Sequence, residues 1–184
     1  MRTRNTMYDR ILVPTDGSDG VERAIGHAID LAEAHGASVH AVYVVNTASY
    51  GTLPMETSWE GISDMLRDEG EAAIDRVRDI AAGTSVDVEG SLVDGTPSKE
   101  IVRYAEQNDC DLIVMGTHGR GGIDRLLLGS VAERVVRSSD VPVLTVRVGE
   151  PSEEGAEGRE QNPAENRERN REEDDTGSVA SVEE

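Results

Sequence analysis

The segment Gly116-Thr117-His118-Gly119-Arg120-Gly121-Gly122, followed after Leu128 by Gly129-Ser130, is where this sequence concentrates residues able to do chemistry. Glycine lets backbone amides approach a ligand closely, and the free amides at a helix start carry partial positive charge aimed outward. A glycine at a strand exit, one in the loop and one at a helix mouth therefore suit phosphate binding. Ser130 adds a hydroxyl to that set, or serves as the N-cap of the helix that follows, and both roles are compatible. His118 and Arg120 sit where a phosphate could meet them, and three readings of His118 stand: phosphate-loop neighbour, solvent-facing loop residue, general base.

Other chemistries lack their residues. No Gly-x-x-x-x-Gly-Lys-[Ser/Thr] loop occurs, and the one lysine, Lys99, is remote from any glycine-rich stretch. His27, His35 and His40 have no metal-ligand spacing, and Cys110, the single cysteine, excludes an intrachain disulfide or a thiolate cluster. Its expected role is a small buried hydrophobe. Ser18, Ser130 and Thr15 have no histidine and acid arranged as a nucleophile would require.

The elements that must carry the glycine loop alternate in type. Arg10–Thr15 reads as a strand closed by the turn and helix-cap cluster Asp16-Gly17-Ser18-Asp19-Gly20, and Val21, Ala24, Ile25, Ala28, Ile29 and Ala32 then recur at helical spacing until Gly36. Ser38–Val45 is a second strand, and a polar loop runs from Asn46 to Ser58. A long helix is expected from about Trp59 to Ala82, stopped by Gly83. Val86–Val93 alternates early, as an edge strand does; Pro97 opens a helix through Asn108. Asp111–Met115 is a strand covered on both faces, Gly129-Ser130 opens a helix through about Ser138, and Val141–Arg147 is the last strand. Strand and helix alternation implies an open α/β sheet with parallel strands and helices on both faces. Ligands of such sheets sit outside the carboxyl ends of the strands where the winding reverses, so Pro14-Thr15-Asp16 and the glycine loop compete as sites; an order of 3-2-1-4-5 makes them line one crevice.

The chain has 184 residues and 36% hydrophobic content, low for a wholly globular protein. From Pro151 to Glu184 little could bury apolar area, and that stretch is expected to be disordered. With 18 Lys+Arg against 37 Asp+Glu the net charge is -19, which disfavours nucleic acid and anionic membranes as partners. No apolar run reaches the roughly 18 residues of a membrane helix, nor does the N-terminal stretch read as a signal peptide, so a cytoplasmic location is expected. Acid excess with lysine scarcity resembles the surfaces of halophile proteins.

Gly116-x-x-Gly119, nine residues, then Gly129-Ser130, together with Ile11-Leu12-Val13-Pro14-Thr15-Asp16-Gly17-Ser18 and Val141-Pro142-Val143-Leu144-Thr145-Val146, resembles the universal stress protein family in its nucleotide-binding branch. The resemblance covers residues 8–148, between an N-terminal extension (1–7) and the acidic tail (149–184). It implies a five-stranded parallel sheet of order 3-2-1-4-5 of the Rossmann-like, adenine nucleotide α-hydrolase-like kind, an ATP site in the crevice, and a homodimer paired through the last strand, Val141 to Val148. By the same resemblance Asp16 would hold the ribose hydroxyls, though an Asp-Gly-Ser context also suits a helix cap or turn. Pro14, Thr15 and the backbone of Val44 would frame the adenine, and Met115 and Gly116 would pass under the ribose. Gly119, Gly129, Ser130 and Val131 would meet the phosphates, with Mg²⁺ bridging their oxygens and His118 and Arg120 nearby.

The expected function is ATP binding in stress response, by nucleotide-dependent signalling or sequestration, with at most a slow ATPase activity and an unknown regulatory protein partner. The alternative is an interaction module of the same fold that binds no nucleotide. A flavin-binding electron-transfer subunit shares the topology, and a pyrophosphatase-type ligase would need a Ser-Gly-Gly-x-Asp-Ser loop that Pro14–Asp19 matches poorly. If the acidic surface is adapted to salt, the melting temperature rises steeply between low and molar KCl, because counter-ions screen its self-repulsion; a melting temperature independent of KCl excludes that adaptation.

Overall fold

The computed structural model describes residues 7–46, 59–117 and 128–147. Residues 1–6, most of the expected polar loop (47–58), the loop segment 118–127 and everything from 148 onward, including the expected tail, lie outside the described residues. The elements run β1 (Arg10–Thr15), a 3-10 turn (Asp19–Val21), α1 (Glu22–His35), β2 (Ser38–Val45), α2 (Trp59–Ala81), β3 (Val88–Asp94), α3 (Pro97–Gln107), β4 (Leu112–Gly116), α4 (Ser130–Ser138) and β5 (Val143–Val146). All strand pairs are parallel, in the order β3-β2-β1-β4-β5. The expected class and strand order are both observed.

Both faces of the sheet are covered, and the period of two along each strand divides the core accordingly. In β1, Ile11 and Val13 join Ala24, Ile25 and Ala28 of α1 and Val77 of α2 in one layer, whereas Leu12 joins Ile101 and Ala105 of α3 and Val135 of α4 in the other. Strands buried on both faces need apolar residues at every position, which is why β1 and β4 read as unbroken apolar runs. β3 at the sheet edge is only half-buried along most of its length.

The layer of α2 is pressed close by a missing side chain. A Cβ on Gly70 would lie 2.5 Å from Leu92 Cδ2 and 2.7 Å from Tyr43 Cδ1, so only glycine lets the helix sit this low over β2 and β3. At the opposite end of the strands Asp111 ties β1 to β4: its Oδ2 accepts from the amides of Asp9 (2.6 Å) and Arg10 (2.8 Å), about a hundred residues away in sequence. Such charge-assisted bonds fix the relative height of the two central strands.

Several boundaries differ from the sequence expectation. β3 begins at Val88 rather than Val86, because Val86 donates to Thr84 Oγ1 in a turn and the carbonyl of Asp87 makes the first bond to β2. β5 begins at Val143 rather than Val141: the Val141 amide is held by Ser139 Oγ, Pro142 has no amide, and the carbonyl of Pro142 opens the ladder to Ile113. The Asp16–Gly20 cluster does not cap α1, whose N-cap is Val21 without a side-chain bond; it forms a turn instead. Ser130 is the first residue of α4, and the cap position is Gly129.

Two of the other histidines, His35 and His40, are structural in their contacts, and His27 is exposed on α1. His35 meets Tyr8 edge-on at 5.1 Å, and buried His40 lies 3.3 Å from the Tyr104 hydroxyl, which in turn is 3.0 Å from Ser91 Oγ. Among the described residues no group of three His, Cys, Asp or Glu side chains could hold a metal ion.

Cys110 is buried between α3 and β4, as expected, and burial pushes its thiol from about 9 up to about 11. The fold therefore favours the neutral thiol: this contribution to stability is complete below the thiol's unfolded value and is lost as pH rises through the folded one. Alkylation by iodoacetamide at mildly alkaline pH is expected to be about a hundredfold slower in native than in urea-unfolded protein, since the thiolate is the reactive form; equal rates would contradict the burial.

Candidate functional site

The sheet opens where its two halves meet. β1 pairs with β2 along its whole length, through Thr15↔Tyr43, and β4 pairs with β5 through Gly116↔Val146. Between β1 and β4, however, the paired residues are Ile11↔Leu112 and Leu12↔Ile113, and the ladder goes no further. The carboxyl-terminal halves of these neighbouring strands are thus left unzipped, at the point where the chain order reverses. A doubly wound sheet binds its ligands in such a crevice.

One lip of the crevice is the exit of β1. Pro14 and Thr15 are buried, and Asp16 is half-buried. Asp16 Oδ1 accepts from the Ser18 amide (3.1 Å) and the Ser18 hydroxyl (2.6 Å), and Thr15 Oγ1 accepts from the Gly17 amide (3.2 Å). Gly17 adopts φ 75°, which that tight turn requires and which only glycine takes readily. The carboxylate is therefore held in one orientation by its own loop. Of the two expected local roles for Asp16, cap or turn, the turn is the one found. The residue that fixes it is Ser18, a member of the Asp16–Gly20 cluster read from the sequence as a turn or cap, and Asp-x-Ser is a signal for this kind of side-chain turn.

The other lip is built by β4 and α4. Met115 and Gly116 are buried at the end of β4. The Thr117 amide donates to the Val146 carbonyl (2.9 Å), and the Gly129 amide donates to the Thr117 carbonyl (2.7 Å). That second bond brings the start of α4 back to the tip of β4 across the intervening glycine-rich segment. The N-cap of α4, Gly129, has no side chain to cap the helix, and its φ -62° and ψ 153° are extended backbone open to any residue. The backbone conformation alone does not call for glycine there. The amides of the first turn have no intrahelical acceptor, and the Ser130 hydroxyl is exposed beside them.

Val44 of β2 is half-buried and packs, with Leu128 and Val131, against the layer that contains Met115. Pro14, Thr15, Asp16, Val44, Met115, Gly116, Gly129, Ser130 and Val131 thus all lie on strand ends or on the helix start at the carboxyl edge of the sheet. His118, Gly119 and Arg120 lie outside the described residues. Chemically, the arrangement offers an oriented carboxylate on one side, peptide dipoles and a hydroxyl on the other, and an apolar floor. A ligand with vicinal hydroxyls, a flat apolar ring and an anionic group would match all three.

Comparison with known proteins bears on the family of the chain. A universal stress protein of Methanocaldococcus jannaschii is 44% identical over 147 residues, covering 80% of this chain and 86% of the relative. A solved universal stress protein in complex with cAMP superposes with a TM-score of 0.56 at 29% identity, covering 77% of this chain and 98% of its own. Another, from Archaeoglobus fulgidus in complex with dAMP, superposes at 0.52 with 26% identity, covering 75% and 97%. Residues 7–147 match the sequence model of the universal stress protein family, and with the fold and the glycine-bearing crevice in agreement the chain belongs to that family.

Proposed function

We propose that the chain is an ATP-binding protein acting in stress response, by nucleotide-dependent signalling or by sequestering nucleotide, with hydrolysis slow if it occurs. The observation that carries this reading is the unzipped crevice between β1 and β4, with the oriented Asp16 carboxylate on one lip and the glycine-capped start of α4 on the other. Structures of relatives with cAMP and dAMP support an adenine nucleotide as the class of ligand.

In this reading Asp16 accepts from the ribose hydroxyls, much as the acidic residue of dinucleotide-binding folds does. Pro14, Thr15 and the Val44 backbone face the adenine, and Met115 and Gly116 run beneath the ribose. Gly119, Gly129, Ser130 and Val131 present amides and a hydroxyl to the phosphates, with His118 and Arg120 beside them. Mg²⁺ usually binds nucleotides through their phosphates with few protein oxygens. The exposed Ser130 hydroxyl beside the helix start fits that requirement, and the ion would neutralise phosphate charge there. Slow turnover follows from the sequence: fast phosphoryl transfer needs positioned cations around the γ-phosphate, and there is no P-loop lysine.

A homodimer through the last strand belongs to the same reading. β5 ends the sheet, and Leu144 on it (39% exposed) and Val136 on the adjoining α4 (47% exposed) are large apolar side chains left in solvent. Pairing two copies along β5 would cover both and satisfy an open strand edge. A cytoplasmic location goes with this reading, and among the described residues no helix is long and apolar enough to cross a membrane.

Protein purified gently in molar KCl should release ATP or ADP on acid treatment, identified by mass spectrometry, and Asp16→Ala and Gly119→Val should each abolish that content. An empty wild-type protein that also gives no calorimetric signal with Mg·ATP would favour the nucleotide-free interaction module. Sedimentation in molar salt should give twice the 19.8 kDa chain mass, falling to the chain mass in Leu144→Arg; a wild-type monomer would remove the dimer.

A further inference from the structure

A side chain from outside holds the loop that carries Asp16. Arg76 projects from α2 and donates from Nε to Glu22 Oε1 (2.8 Å) and from Nη2 to Asp19 Oδ1 (2.9 Å). Its Nη2 also lies 2.6 Å from Glu22 Oε1. Asp19 opens the 3-10 turn and Glu22 opens α1, so the guanidinium spans the turn from its first residue to the residue just past its end. Within the turn the Val21 amide donates to the Ser18 carbonyl (3.2 Å), and Ser18 donates twice to Asp16 Oδ1. The contacts form an unbroken series: Arg76, the Asp19–Glu22 turn, Ser18, Asp16.

Two features make Arg76 the fixed end of that series. Its flanking residues on the buried face of α2, Ala73 and Val77, are in the core, so the helix cannot roll. The loop itself, by contrast, is Gly17-Ser18-Asp19-Gly20, with glycines at both ends and Asp19 largely in solvent. Such a segment has many conformations to lose when a ligand must find one carboxylate orientation. Arginine is suited to the task because its planar fork meets two acceptors at once. As a contribution to folding, a half-exposed ion pair counts for little, which leaves loop orientation as the effect to look for.

We propose that Arg76 is a positioning residue for the nucleotide site, acting through the Asp19–Glu22 turn and Ser18 to fix the carboxylate of Asp16 for the ribose hydroxyls. This rests on the ATP-binding reading above. Arg76 touches no ligand in this scheme, and its whole effect passes through the sugar.

The test is calorimetric titration of the full chain with Mg·ATP and with Mg·2′,3′-dideoxy-ATP, which lacks both ribose hydroxyls. Arg76→Ala should weaken ATP binding about three- to tenfold, roughly the cost of ordering one loop residue again on binding, while leaving the dideoxy ligand's affinity and the melting temperature unchanged. The double change Asp19→Asn, Glu22→Gln should reproduce that loss, and adding Arg76→Ala to it should cost nothing more. Equal weakening of both ligands would make Arg76 a general structural residue and overturn the proposal, as would unchanged ATP binding in Arg76→Ala. A wild-type protein that binds neither ligand would instead remove the ATP-binding reading, and this proposal with it.

Discussion

The site depends on the one place where two neighbouring strands stop pairing. From β1 the chain winds outward through β2 to β3, and from β3 it returns across the sheet to β4 and winds the other way to β5. Helices α1 and α2 pack on one face and α3 and α4 on the other. Among the described residues the pairing of β1 with β4 stops after Leu12↔Ile113, and the carboxyl ends of the two strands are left unpaired with each other. The Asp111 clamp at the amino ends holds the same two strands together. The two strands are thus tied together at their amino ends and unpaired with each other at their carboxyl ends.

The fold was readable because both its periodicities are clean. Unbroken apolar runs in β1 and β4 mark strands covered on both faces, and the spacing of Ala24, Ile25, Ala28 and Ile29 marks one face of α1. Strand ends were less readable, since hydrogen bonds from Thr84 and Ser139 oxygens took Val86 and Val141 out of the ladders, and side-chain capture of a backbone amide leaves no mark on hydropathy. The site was half readable. Its glycines and the β1 exit, Ser18 included, stood out, but Arg76 did not. Ser18 acts through a short local turn, while Arg76 reaches its carboxylates 54 and 57 residues away. Contacts at that separation belong to tertiary structure and have no local signature.

The choice of arginine bears on the surface as a whole. Among the described residues, Arg10, Arg67, Arg76, Arg78, Arg103 and Arg137 each pair with a carboxylate, on a chain whose sole lysine is Lys99. A guanidinium is more weakly hydrated than an ammonium and binds two acceptors in fixed geometry. On a surface with 37 acidic residues, each arginine can therefore organise carboxylates around it rather than merely cancel one. Arg76 shows this directly, joining two carboxylates from two elements to a third.

The hydrogen bond from the Gly129 amide to the Thr117 carbonyl has a consequence for how this family can vary. Because it fastens the two stems of the glycine-rich segment at 2.7 Å, the closure entropy of what lies between depends only weakly on its length. Doubling such a length costs about 0.6 kcal/mol. Insertions there, exchange of the segment for another, or a cut at that point with the natural ends joined would leave β4, β5 and α4 in register. Diversification at that position is thermodynamically cheap, and the scaffold beneath it is free to stay the same.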